Sequence, residues 1–409
     1  MRYVKGLECI RCHSHYSPEP DRYLCACGGV LDVQYDYGKI RGEWSQESLK
    51  RSRELSMWRY LPLLPVDPES SRPPLRVGWT PLYESGALAR ELGLTKPVFL
   101  KDEGLNPTGS LKDRASALAV AKALEACATT VACSSTGNAA SSLAGNVAAM
   151  GGKLKAVIFV PERAPQGKVA QLLIYGARVI SVQGDYQDAF ALSAAAIERW
   201  GWYNRNAAIN PYLVEGKKTA VLELAEQLDW QLPDWLILSV GDGCTLAGAG
   251  KALTDLAALG FIEKIPRLVG VQAAGCAPIH RAFISGRLEA AEENTLADSI
   301  AVGVPRNPHK ALTAIRASQG LTVTVEDEEI LAAMGLLGRT CGVFAEPASA
   351  AGLAGLRRLI REGIIGPRDS VALISTGNGL KDTANALKAA GEPLRIPPDL
   401  DRLANEIGE

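Results

Sequence analysis

Histidines are scarce in this 409-residue chain (His13, His15, His280 and His309), so acid–base chemistry near neutral pH has to be sought elsewhere. The residue that stands out is Lys112, in the stretch KDEGLNPTGSLKDRASA of residues 101–117. It lies between Gly109-Ser110 and Asp113-Arg114, in a turn that feeds an alanine-rich run. A lysine that opens a helix feels the positive end of the helix dipole, which lowers its pKa and favours the neutral amine. Such an amine suits a Schiff base with an aldehyde cofactor. The plain alternative is a solvated lysine at a helix start, and this segment alone does not separate the two.

Three further loops rich in glycine or hydroxyls follow apolar runs. Ser134-Ser135-Thr136-Gly137-Asn138 offers hydroxyls and backbone N–H groups that can hold a carboxylate, or can act as an ordinary capping turn. In Ser239-Val240-Gly241-Asp242-Gly243-Cys244-Thr245 the glycines let successive N–H groups converge on a phosphate, and Thr245 adds a hydroxyl. No Gly-Lys-Ser/Thr follows, so this is not a P-loop, and no Gly-x-Gly-x-x-Gly fingerprint fits. Asp242 is at odds with a bound phosphate, so its side chain is expected to turn away. The last loop, Ser375-Thr376-Gly377-Asn378-Gly379-Leu380-Lys381-Asp382, closes the final strong apolar run.

A separate constellation lies near the N-terminus. Cys9-x2-Cys12 and Cys25-x-Cys27 form two knuckles about a dozen residues apart. Four thiolates from two turns can satisfy a tetrahedral zinc, with His13 and His15 as substitute ligands; the alternative is a ribbon that folds without metal. The other five cysteines, Cys127, Cys133, Cys244, Cys276 and Cys341, are scattered and read as buried thiols.

The elements that position these loops follow from hydrophobic spacing. Short apolar runs at 98–101, 131–134, 155–160, 178–182, 235–240, 268–272 and 371–375 alternate with helical patterns at 115–126, 139–150, 188–200, 217–228 and 245–259. This is the pattern of an α/β protein with parallel sheets covered by helices on both faces, where ligands bind at the carboxyl ends of strands. The expected organisation is a Cys-rich segment over 1–40 and a helical, then proline-rich linker over 41–96. A large α/β domain over 97–128 and 226–390 follows, with a smaller one over 129–225 and a tail over 391–409. Five prolines within 62–74 argue against regular structure there.

Composition narrows the function class. The chain is 47% hydrophobic with net charge −1, and only 6% aromatic with no basic stripe, which excludes disorder and disfavours nucleic acid. No signal-like or membrane-spanning run appears, and the cytoplasm is the expected location.

Taken together, the four loops resemble the fold-type II pyridoxal-phosphate enzymes, and among them the threonine synthase family. KDEGLNPTGSLKDRA, STGN, NPYLVEGKKTA, EPASAA (Glu346 to Ala351) and TGNGLKD match in order, so the resemblance runs from the cysteine ribbon to about Asp382. It implies that Lys112 forms the Schiff base with pyridoxal 5'-phosphate and that Asn138 hydrogen-bonds its phenolic oxygen. Gly241, Asp242, Gly243, Cys244 and Thr245 would then cradle its phosphate, and Thr376 would face its pyridine nitrogen. Ser135, Thr136 and the nearby Asn138 and Ala139 would bind the substrate, with Lys217 at the leaving group. A hydroxyl beside the pyridine nitrogen tempers the electron sink, which suits elimination more than transamination. A homodimer acting on a small amino-acid substrate is also implied.

Some positions depart from the family pattern. Ala139 stands where threonine is usual, Ala207, Ala208 and Leu213 where hydroxyls and an arginine are usual, and Lys217 where glutamine is common. Each lost charged hydrogen bond is worth roughly 1.5–3 kcal/mol to a phosphate site. Lys217 and Arg205 are the candidate replacements. Three readings follow: threonine synthase with a rebuilt phosphate site; a serine/threonine ammonia-lyase or β-replacement synthase with a less anionic leaving group; or a non-catalytic amino-acid-binding protein.

Overall fold

The computed structural model describes residues 1–164, 166–184, 186–206 and 209–407. Among these residues the strands form three sheets. The N-terminal ribbon is antiparallel, in the order β2 (His15–Tyr16), β1 (Val4–Cys9), β3 (Leu31–Tyr35). The largest sheet has the order β12 (Leu321–Val325), β11 (Arg267–Ala273), β10 (Trp235–Ser239), β13 (Val371–Ser375), β5 (Val98–Asp102), β4 (Leu82–Ser85). All its pairings are parallel except that of the edge strand β4. The third sheet, wholly parallel, runs β8 (Arg178–Val182), β7 (Lys155–Pro161), β6 (Thr130–Ser134), β9 (Tyr203–Asn204).

Period-2 alternation explains why both parallel sheets are covered twice. In β10, Leu236 and Leu238 enter one apolar core while Trp235 and Ile237 enter another. In β6, Val131 and Cys133 face one cluster and Ala132 the opposite one. Strands apolar on both faces need helices on both faces, as the alternating pattern predicts. The sequence reading missed β4, β9 and β12: β4 has four residues and β9 two, and β12, LTVTV, has polar threonines at alternate positions.

Three expectations change. The proline-rich stretch is no free linker, because Leu63, Leu64 and Val66 within it, like Trp58 and Tyr60 just before it, are buried in the main core. Regular structure also persists up to Leu63, as a kinked 3-10 segment over Met57–Leu63 that contains Pro62. The scattered cysteines are not uniformly buried: Cys127 is exposed and Cys341 half-buried. The C-terminal stretch ends in a helix, Leu400–Ile407, with no buried residue.

Candidate active site

The loops singled out by composition converge on one cleft of about 410 Å³ between the two parallel sheets. Lys112, Ser135, Thr136, Asn138, Ala139, Lys217, the 241–245 loop and Thr376 all line it. Leu213 does not: it is fully buried in the core of the smaller sheet. Ala207 and Ala208 lie outside the described residues.

Lys112 is the first residue of the helix Lys112–Glu125, so the expected helix-start geometry holds. That helix forms from an alanine-rich run of high propensity, and a buried ion network fixes its first turn. Arg114 makes paired 2.6 Å hydrogen bonds to Glu103 and to Glu223, all three side chains being fully buried. Asp113 accepts from the Thr108 N–H at 2.8 Å and from Asn146 Nδ2 at 3.0 Å. Burial pushes the Asp113 carboxyl up to about 6. The Leu111 N–H donates to the Thr376 carbonyl at 2.9 Å, and the Asn378 N–H to the Gly109 carbonyl at 3.0 Å. Lys112 and Thr376 are thereby held on facing loops. The Lys112 amine titrates below the ordinary lysine range, chiefly because it is desolvated and then because the Arg205 cation is near.

Two helices open into the cleft without a side-chain cap. Asn138–Ala148 starts after Gly137, and Cys244–Leu259 starts after Gly243. Uncapped N–H groups and the helix dipole make both ends anion sites. Gly243 has φ +87°, and a Cβ there would lie 2.6 Å from the Asn307 carbonyl oxygen, so only glycine suits this turn. The Asp242 Oδ1 accepts from the Arg306 N–H at 3.3 Å. The buried Ser239 Oγ also lines the cleft and has no hydrogen-bond partner among the described residues. An orphaned hydroxyl, an uncapped helix end and a turn restricted to glycine fit a bound phosphate group.

Two buried cations line the cleft beside Lys112, with the carboxylates Asp242 and Glu346 on the same lining. Arg205 and Lys217 are 1% and 3% exposed, and Arg205 hydrogen-bonds Ser116 Oγ at 3.0–3.1 Å. Among the described residues no carboxylate lies within 4 Å of Arg205, Lys217 or Lys112. Burial pushes the Lys217 amine down to about 8, with Lys112 and Arg205 acting in the same direction and Cys244 against it.

Sequence reasoning missed the role of Glu346. Its motif was legible, but not that this buried carboxylate reaches the cleft. The Asn138 Nδ2 group donates to both its oxygens, at 2.8 and 3.1 Å. Burial raises the Glu346 pKa, and the Asn138 hydrogen bond opposes that rise. Ser299 and Arg306 also line the cleft, from a stretch whose sequence carries no periodic signal.

In the ribbon, the Cys9, Cys12, Cys25 and Cys27 sulfurs lie within 4.8 Å of one another. Cys9–Cys27 and Cys12–Cys25 sulfurs are 3.6 and 3.5 Å apart, close to the roughly 3.8 Å edge of a zinc–thiolate tetrahedron with bonds of about 2.3 Å. His13 instead pairs with Glu8 at 2.9 Å.

Comparison with known proteins agrees with this geometry. A family model described as pyridoxal-phosphate dependent enzyme matches residues 74–377. Diaminopropionate ammonia lyase from Escherichia coli shares the fold, with a TM-score of 0.66 at 20% identity over 83% of this chain and 93% of that one. Fold and cleft thus define a fold-type II pyridoxal-phosphate-dependent enzyme. Threonine synthase of Methanocaldococcus jannaschii is 41% identical over 405 residues, covering 98% of this chain and 99% of that protein. The corresponding protein of Methanosarcina acetivorans is 41% identical over 406 residues, 98% of each. The chain belongs to the threonine synthase family.

Proposed function

We propose that this chain converts O-phosphohomoserine and water to threonine and inorganic phosphate. The observation that carries this reading is the pair of buried cations, Arg205 and Lys217, beside Lys112 in a cleft with no carboxylate within 4 Å of any of the three. A cofactor phosphate accounts for one anion site, at the 241–245 loop. Two further buried cations call for a second anion, as a phosphorylated substrate supplies.

When bound, pyridoxal phosphate supplies an electron sink for charge developing at the substrate's carbon atoms. Lys112 would hold it through its amine and is the group placed to move a proton at the substrate's Cα, since no histidine lines the cleft. Asn138 would hydrogen-bond the cofactor's phenolic oxygen, while Glu346 fixes the Asn138 amide. Thr376, which lines the cleft, would serve as a neutral partner for the cofactor's pyridine nitrogen. Ser135, Thr136 and the open N–H groups ahead of Ala139 bind the substrate carboxylate. Arg205 and Lys217 hold the leaving phosphate in place of the family's arginine and hydroxyls.

Structural zinc on Cys9, Cys12, Cys25 and Cys27 belongs to this reading, as do the two-domain division of the sheets, a homodimer and a cytoplasmic location. Among the described residues no helix is long and apolar enough to cross a membrane.

A substrate series tests the assignment. The expected result is a kcat/KM for O-phosphohomoserine at least about a hundredfold above that for O-acetylhomoserine, because two charged contacts, Arg205 and Lys217, each discriminate by about 1.5–3 kcal/mol. Ammonia release from serine or threonine exceeding phosphate release would establish the ammonia-lyase reading instead.

A further inference from the structure

The cysteine ribbon lies outside the cleft, yet one of its strands reaches the helices that shape the 241–245 loop. Asp32, in β3, sits between two lysines from different helices. Lys310, on the helix Pro308–Ala317, donates to Asp32 Oδ1 at 2.6 Å and to the Leu31 carbonyl at 2.7 Å. Lys251, on the Cys244 helix, lies 3.3 Å from Asp32 Oδ2 and donates to the Val33 carbonyl at 2.8 Å. Three consecutive ribbon residues therefore hold two helices together.

Those two helices meet at the loop itself. The Asn307 N–H, just ahead of the Pro308 helix, donates to the Asp242 carbonyl at 3.1 Å, and the Arg306 N–H donates to the Asp242 carboxylate. The Asn307 carbonyl roofs Gly243, and the Ala311 side chain packs against the same glycine. Further along, Gly250 lets the Cys244 helix approach Ala314, where a Cβ would stand only 2.4 Å from the alanine methyl. Lys310 is one turn beyond Asn307, so its anchor fixes the end of the helix that forms the roof. Leu31 is registered directly opposite Cys9, which ties the anchor to the cysteine cluster.

We propose that Asp32 and Lys310 are positioning residues for the phosphate cradle, through which the ribbon sets how tightly the protein retains its cofactor. This rests on the reading of residues 241–245 as the cradle. The ribbon is then part of the active-site support, and the ion pair acts on cofactor affinity rather than on the chemical step. Asp32 is 20% and Lys310 10% exposed in their side chains, so each can be replaced without opening a core.

The test is a fluorescence titration of cofactor-free full-length protein with pyridoxal phosphate. It compares wild type with Lys310→Met, Asp32→Asn, Lys310→Arg and the double variant Asp32→Asn/Lys310→Met. Each single removal is expected to raise the Kd roughly tenfold, within the range of mutational coupling through packed networks. Urea midpoints should shift little, KM at saturating cofactor should hold, and Lys310→Arg should restore most of the affinity. The double variant should lose clearly less than the sum of the two single losses, because the two residues share one contact. Wild-type uptake with unchanged Kd values in the variants, or fully additive losses, overturns the proposal alone. A wild-type chain that takes up no pyridoxal phosphate overturns the cradle reading, and the proposal with it.

Discussion

In the proposed reaction Lys112 is the residue on which most of the chemistry converges, and its replacement is the most direct test at this scale. Lys112→Ala should keep the fold and lose turnover by about 10²–10⁴-fold or more, the usual worth of a positioned acid–base group. A far-UV spectrum beside a turnover assay checks both halves, and full activity in the variant would remove Lys112 from the mechanism. Lys217 gives a pH signature. Its amine is held down to about 8 by burial, so it is cationic below that pH and neutral above it. If it grips the leaving phosphate, KM for the phosphorylated substrate should rise as pH passes through 8, and Lys217→Met should flatten that rise. The lysine motif was legible in the sequence because its chemistry is local: a turn, a lysine and a helix start within a few residues. Glu346 was not, because its meeting with Asn138 joins positions more than two hundred residues apart.

At the scale of elements, the Lys112 helix depends on a buried charge network. Arg114→Met leaves Glu103 and Glu223 buried without their partner, which should cost about 3–5 kcal/mol. Urea denaturation measures this, and a loss below about 1 kcal/mol would show that the network contributes little. Gly243 tests the other helix start. Gly243→Ala forces a Cβ against the Asn307 carbonyl at a positive φ, so cofactor affinity should fall along with about 1–3 kcal/mol of stability. Unchanged cofactor binding would mean that the turn does not shape the cradle. The long parallel strands were legible because apolar runs such as WLILS and VALIS admit few other readings. The edge strands β4 and β12 were not, since short or alternating segments become strands only when a neighbour offers hydrogen bonds. The proline-rich stretch was misjudged for a similar reason. Proline removes a backbone donor but does not prevent Leu63, Leu64 and Val66 from packing into a core.

For the whole molecule, the account is that two parallel sheets hold uncapped helix ends around one cleft. A small ribbon buttresses that cleft from outside. Family membership follows from motifs spread over the chain, whereas the substrate depends on a few departures from the family pattern, chiefly Leu213, Ala139 and Lys217. Sequence comparison reads those departures as losses. In the structure Leu213 belongs to the core, and Arg205 and Lys217 supply positive charge within the cleft. The measurement that tests this most directly is the stoichiometry of inorganic phosphate and threonine formed from O-phosphohomoserine by the cofactor-loaded protein. One phosphate and one threonine per substrate consumed is the predicted result. Phosphate without threonine, or no phosphate from a protein whose absorbance still responds to serine and threonine, would contradict it.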